Sequence, residues 1–306
     1  MTVPTTILGQ NQYGKAENRV VKITRDGATH HIKDLNVSVA LSGDLDEVHY
    51  SGSNTNVLPT DTTKNTVFAF AKEQGVESAE QFGLALARHF VDTTEPIRTA
   101  RIRVEEYAWE RIATSEGEAP HSFVRRGQET RTAQVTYDGS TVQVLGGLRG
   151  LTVLNSTDSE FWGYIKDEYT TLKEDYDRVL ATDVSAVWRH SWSGDDGTAV
   201  PDWNSSYEET KALMLRAFAE TYSLSLQQTL YRMGSQVLAG RPELEEIRFS
   251  MPNKHHFRVD LEPFGIKNEA ADGAVYIAAD RPYGLIEATV LRDGAEARIP
   301  VDMTNL

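Results

Sequence analysis

The sequence predicts an α+β protein with antiparallel sheets, built from two copies of a strand-strand-helix-helix-strand-strand unit. Three observations predict it. Runs rich in β-branched residues come in pairs, each pair is followed by two segments of helical periodicity, and this order occurs twice in 306 residues. No strand leads through a Gly-rich phosphate loop into a helix, which argues against a doubly wound parallel sheet.

Residues 18–26 (NRVVKITRD) and 30–43 read as strands around the turn DGAT. Segments 63–74 and 78–92 carry apolar residues at helical spacing, with Phe82, Leu86 and Phe90 on one face. Ser78 has the chemistry of an N-cap, and Gly75 that of a break between the helices. Strands resume over 100–112 and over 131–147, the second folding back at Asp138-Gly139. In the second half, 150–157 and 177–192 are expected strands separated by a polar, partly helical excursion, and the loop SGDDGTAVPDW follows. Helices are expected over SSYEETKALMLRAFAETY, opened by a capping box from Ser205 to Glu208, and over SLQQTLYRMGSQVLAG. ELEEIRFSM, HHFRVDL and GAVYIAA then return to strands. The join is expected near Gly146–Gly150, giving domains 1–147 and 148–306.

Composition excludes several kinds of chemistry. A formal charge of −14 disfavours nucleic acid and anionic membrane as partners, because both reward clustered Lys and Arg. There are no cysteines, hence no disulfide, thiolate nucleophile or Cys-ligated metal. The eight histidines form no HExxH, and the adjacent pairs at 30–31 and 255–256 would point to opposite faces of a strand. No apolar window is long enough to span a bilayer, and MTVPTTILGQNQYGK lacks the basic start and apolar run of a secretory leader. The expectation is a cytoplasmic protein with no metal.

Candidate site residues sit at element boundaries. Lys15 precedes the first strand in YGKAENRV, and Thr60 and Asp61 precede the first long helix in LPTDTTKNTV. Phe161, Trp162 and Arg178 lie in the central block, and Gln227 and Gln228 near the start of the last helix. Asn253, Lys254 and His255 open the donor-rich MPNKHHF. Singly, each has a plain structural reading: a solvated lysine, a helix cap, packed aromatics, a surface ion pair. Together they fit recognition of a flat, anionic, nitrogen-rich ring. An arginine fork meets adjacent ring acceptors, a glutamine matches an imide edge, and an aromatic face stacks on the plane.

The motifs YGKAENRV, PTDTTKNTV, LTVLNSTDSEFWGYIKDEYTTLKEDYDRVLATDV, QQTLYRM and MPNKHHF closely resemble urate oxidase, the cofactor-independent uricase family, in its bacterial form. The resemblance runs from residue 13 to residue 257 and so covers both expected domains. It implies the tunnelling fold, two ββααββ domains per subunit, and a homotetrameric barrel with sites at subunit interfaces. It implies oxidation of urate by dioxygen and water to 5-hydroxyisourate and hydrogen peroxide, without cofactor or metal. Position by position, it implies that Phe161 stacks on urate, Arg178 forks onto one edge, and Gln227 pairs with the opposite edge, helped by the backbone N–H of Leu226. The family pattern selects Gln227 over Gln228. Asn253 is implied to lie above the ring at the oxygen position, Thr60 and Asp61 to reach in from a neighbouring chain, and Lys15, Thr60 and His255 to form a proton relay. His256 departs from a position often aromatic in relatives, and the peroxisomal tripeptide of many eukaryotic members is absent.

The relay has a chemical rationale. A threonine hydroxyl is a poor base without a partner to take its proton, a role for Lys15, and a histidine near neutrality passes protons on to solvent. Two other readings remain open at this point: a different tunnelling-fold enzyme acting on pterins or purines, and an oligomeric binding protein that has lost its chemistry. The missing cysteines weigh against a zinc-dependent version of the first, and the intact Lys15, Thr60 and His255 against the second.

Overall fold

A computed structural model describes residues 6–194, 197–270 and 273–301. The extreme ends, read above for targeting signals, and part of the loop 193–203 lie outside them. The chain divides into two compact units, Met1–Gly147 with Arg189–Ser205, and Leu148–Trp188 with Ser206–Leu306.

In the first unit, β1 (Tyr13–Asp26) and β2 (Thr29–Gly43) form an antiparallel pair. A short α1 (Asp46–Tyr50), then α2 (Thr60–Glu73) and α3 (Ala79–Thr93), lead to β3 (Ile97–Tyr107). An outlying hairpin, β4 (Trp109–Thr114) with β5 (Gly117–Arg125), precedes β6 (Thr130–Tyr137). Strand order is β1-β2-β3-β6, followed by the start of β7 (Val142–Asn155). The period-2 pattern decides which face is covered: Leu35, Val37, Val39 and Leu41 alternate inward on β2, as do Ala100, Ile102 and Val104 on β3. Helix α3 lays Phe82, Leu86 and Phe90 in the same core, each at most 1% exposed, as the helical spacing predicts. Each such side chain contributes roughly 1.5–3 kcal/mol by leaving water. Ser78 caps α3 by accepting from the Gln81 N–H at 3.0 Å, and Gly75 ends the previous helix segment at φ +83°.

The second unit repeats the plan. The rest of β7 is followed by β8 (Leu180–His190), α4 (Trp203–Glu220), α5 (Leu226–Gly240), β9 (Leu244–Arg258) and β10 (Tyr276–Leu291), in strand order β7-β8-β9-β10. Its core is Leu180, Val184, Trp188, Phe218, Leu230, Met233, Ile247, Phe249 and Met251. The ββααββ order thus occurs twice in an α+β protein with antiparallel pairing.

Several expectations change. The strands expected to end at 147 and begin at 150 are one strand, β7, which starts in one unit and ends in the other. ELEEIRFSM and HHFRVDL are likewise one strand, β9, running through Pro252, which pairs with Leu285. Helix α4 starts at Trp203, and Asp202, not Ser205, accepts the Ser205 N–H at 3.0 Å, so the expected capping box lies inside the helix. The segment after residue 289, unassigned from sequence, completes β10 and then closes α5. The Arg292 guanidinium donates to the carbonyls of Leu238, Arg241 and Leu244 at 2.7–3.0 Å. Buried Glu246 accepts the N–H groups of Arg298 and Ile299 at 2.9 and 3.0 Å.

Candidate active site

In the second unit a cavity of about 670 Å³ opens between the start of α5, the β9 strand and the segment 161–179, a size typical of small-ligand sites. Phe161, Arg178, Leu226, Gln227, Asn253 and His255 all border it. Every member of the expected substrate set that belongs to this unit is therefore at one cavity.

Local structure explains each placement. Phe161 exchanges two backbone hydrogen bonds with Asp175, at 2.7 and 3.0 Å, which folds the polar segment between them into a closed loop. The Phe161 ring stacks on Tyr164 at 5.0 Å between centroids, and the Arg178 guanidinium lies 5.2 Å from its centroid. Arg178 donates through Nε to the Ser159 hydroxyl at 3.0 Å. Burial, offset in part by Asp175, lowers the guanidinium pKa, but an arginine stays a cation there. Trp162, expected in a core, is half exposed and donates to Glu160 at 2.6 Å.

Two glutamines at the start of α5 take different tasks. Ser225 is the N-cap and accepts the Gln228 N–H at 3.1 Å, while the Gln228 side chain accepts the Leu224 N–H at 2.8 Å. The pair is a variant of the capping box: the glutamine three residues after the cap reaches back to the N–H of the residue before that cap. Gln228 is thereby committed to the helix end, and Gln227 is exposed at the cavity wall with no hydrogen bond among the described residues. Leu226 is the first helical residue, so its N–H has no intrahelical acceptor.

On β9, alternation separates the donors of the sequence NKHH. Lys254 turns to Asp183 on β8, at 2.5 Å, on the opposite side of the strand from its neighbours Asn253 and His255. The β9–β10 register breaks at this level: Asn253 pairs with Gly284 and His255 with Ala279, leaving several β10 residues bulged between. Burial first, then Arg178 and His256, lowers the His255 pKa, so the ring is neutral at neutral pH and open to a proton. His256 also borders the cavity, although its Nδ1 is engaged by the Lys254 carbonyl at 3.0 Å.

Lys15, Thr60 and Asp61 gather in the first unit. Lys15 is on β1, just before a bulge in which Glu17 takes φ +57° and buried Asn18 donates to the carbonyls of Lys15 and Val37, at 3.2 and 2.8 Å. Gly14 is required beside it, since any Cβ would sit 1.9 Å from the Val39 carbonyl oxygen. The Tyr13 hydroxyl donates to the Leu58 carbonyl at 3.0 Å and accepts the Leu58 N–H at 2.9 Å, tying the strand to the residues that lead into Thr60. Thr60 and Asp61 open α2 and cap nothing: Pro59 occupies the N-cap position. Asp61 instead binds Lys64 at 2.5 Å and Asn65 at 3.1 Å, and its carboxyl is held below the ordinary range by Lys64 first, with a further pull from the Lys15 charge. The Lys15 ammonium group and the Thr60 hydroxyl make no hydrogen bond to each other or to another side chain or backbone group among the described residues. Among the described residues no three His, Asp or Glu side chains gather as a metal site.

A model of the uricase family matches residues 11–136 and 144–287. The uricase of Arthrobacter globiformis is 48% identical over 295 residues, which cover 96% of this chain and 93% of that protein. The chain belongs to the uricase family. It is accordingly an enzyme, a urate oxidase. The uricase of Aspergillus flavus is 35% identical over 297 residues, 94% of this chain and 98% of that one. The crystal structure of the Arthrobacter globiformis uricase superposes with a TM-score of 0.89 over 97% of this chain and 99% of that one. Urate oxidase from a Bacillus species, 23% identical, shares the fold with a TM-score of 0.78. Tyr13, Asn18 and Ser159 of this uricase are not among the residues the sequence singles out, and Gln228 is named there only as an alternative to Gln227, not as a support of the helix end. Each acts by holding another residue, and only Gln228 had a readable signal, the serine three positions before it.

No helix among the described residues is long and apolar enough to cross a membrane.

Proposed function

We propose that this uricase oxidises urate with dioxygen and water to 5-hydroxyisourate and hydrogen peroxide, without cofactor or metal, in the cavity of its second unit. The observation that carries this reading is the convergence of Phe161, Arg178, Gln227, Asn253 and His255 on that one cavity. Phe161 offers a face for the purine plane. Arg178 supplies a cationic fork for one edge, and Gln227 with the Leu226 N–H supplies donors and an acceptor for the other. The electron-rich urate anion reduces dioxygen itself, so the protein has to fix the ring, balance its charge and move protons. Asn253 faces the oxygen species above the ring.

Lys15, Thr60 and His255 form the proton relay. Neutral His255 accepts a proton; the Lys15 ammonium and the Thr60 hydroxyl carry protons to and from the ring and the nascent peroxide. Thr60 and Asp61 are supplied by a neighbouring chain, in a homotetrameric barrel of two tunnelling-fold domains per subunit, residues 1–147 and 148–306. The exposed Trp162, Ile165, Tyr169, Leu172 and Tyr176 on the segment that contributes Phe161, Leu172 and Arg178 to the cavity support such an assembly, since apolar surface of this kind marks contact faces. The proposed location is cytoplasmic.

The two glutamines test the binding half of this reading. Gln227→Ala raises the KM for urate about tenfold and leaves the melting temperature unchanged, because it removes only ligand bonds. Gln228→Ala leaves KM within about twofold and costs roughly 1 kcal/mol of stability, the worth of a cap. Steady-state kinetics and thermal melts of both variants are the measurement; interchanged phenotypes would contradict the assignment.

A further inference from the structure

We infer that Ser159 is a positioning residue for substrate recognition: its hydroxyl holds the Arg178 guanidinium by Nε, so that the two terminal amino groups form the edge presented to the ring. The inference rests on the reading of the cavity as the urate site. Ser159 does not border that cavity and is 1% exposed. It holds Arg178 at both ends of the residue. The Ser159 carbonyl accepts the Arg178 N–H at 2.9 Å, and the Ser159 Oγ accepts the Nε–H at 3.0 Å.

Consider what the second bond does. A guanidinium has five N–H groups and can meet a planar acceptor pair by its terminal edge or by the edge that includes Nε. With Nε occupied, only the terminal edge is free. A long side chain that would otherwise sample several rotamers is held in one, so less freedom is lost when the ligand binds.

Ser159 is itself fixed, and by the same structure that positions the opposite grip. It bridges Ser223, flanked by bonds from the Glu160 N–H to the Ser223 carbonyl and from the Ser223 N–H to the Asp158 carbonyl, both 2.8 Å. Buried Ser223 Oγ accepts from the Thr229 hydroxyl at 2.8 Å and donates to the Ser225 carbonyl at 3.1 Å. Ser225 caps α5, whose first residues are Leu226 and Gln227. The backbone bridge from Ser159 to Ser223, continued by the Ser223 hydroxyl to Thr229 and Ser225, therefore sets the arginine edge and the glutamine edge relative to each other. That distance is what a rigid bicyclic ring would measure.

The test is a KM-against-kcat split in the intact enzyme. Ser159→Ala raises the KM for urate about tenfold with kcat within about twofold. Ser159→Thr, which keeps the hydroxyl, stays nearer the native KM. Ser159→Cys replaces the hydroxyl by a weak acceptor of similar size and serves the same test where the alanine variant fails to fold. In an Arg178→Lys background, which has no Nε, the Ser159 substitution changes KM by less than about twofold. A native KM in Ser159→Ala, or an effect undiminished in the Arg178→Lys background, overturns the inference. Should the native enzyme leave urate unoxidised, the reading of the cavity fails instead, so the two failures are distinguishable.

Discussion

Arg178→Ala raises the KM for urate by about 100-fold or more, with a much smaller change in kcat. The guanidinium is half buried at the cavity wall, and its Nε is satisfied by Ser159, so its terminal amino groups are free for the ligand. Two charge-assisted bonds are worth about 1.5–3 kcal/mol each, and about 1.4 kcal/mol is tenfold in affinity. Alanine also strands the anionic ring in a partly dry site. Lysine restores charge without the fork, so Arg178→Lys falls between. The fold loses little, because the side chain's one protein hydrogen bond among the described residues is that to Ser159. An unchanged KM in Arg178→Ala would remove the arginine from the binding machinery.

Lys15→Met acts on the other kinetic constant. Loss of a proton-transfer partner lowers kcat by about 100- to 10,000-fold, while a non-oxidisable urate analogue binds within about threefold of the native affinity. Lys15 lies outside the second-unit cavity wall, and its charge is felt at Asp61, next to Thr60. The same kinetics locate His255. Its pKa is lowered by burial first and then by the neighbouring Arg178 and His256, so the imidazole is neutral, and able to accept a proton, down to a pH below the ordinary value of 6.5. Activity that depends on neutral His255 is therefore present at neutral pH and is lost as pH falls through the lowered value. A pH profile of kcat/KM with its acid limb below 6.5, absent in His255→Asn, is the expected result. Intact turnover in Lys15→Met would exclude the relay.

What could be read from the sequence follows from how locally it is determined. Helix α3 was legible because Ser78, Phe82, Leu86 and Phe90 state its cap and buried face within fifteen residues. The doubled ββααββ order was legible for the same reason. Strand continuity was not: Gly146–Gly150 and Pro252 look like breaks, and only pairing partners across the sheet carry β7 and β9 through them. The hairpin β4–β5 and the tail after 289 were missed because long-range contacts define them, such as Glu246 with the Arg298 N–H. The candidate residues on the second unit were legible as a resemblance, and the cavity brings them together. Their supports were not, since Ser159 and Tyr13 become informative only once Arg178 and Leu58 are seen beside them.

The central claim is that bound urate is oxidised by dioxygen with no borrowed redox centre. Its most direct test follows the near-ultraviolet absorbance of urate in air with protein stripped by chelator and verified metal-free. The expected result is full-rate loss of urate with about one hydrogen peroxide formed per urate consumed, abolished when oxygen is removed. Folded, metal-free protein that leaves urate untouched, and regains activity only when a metal or flavin is added back, would contradict it.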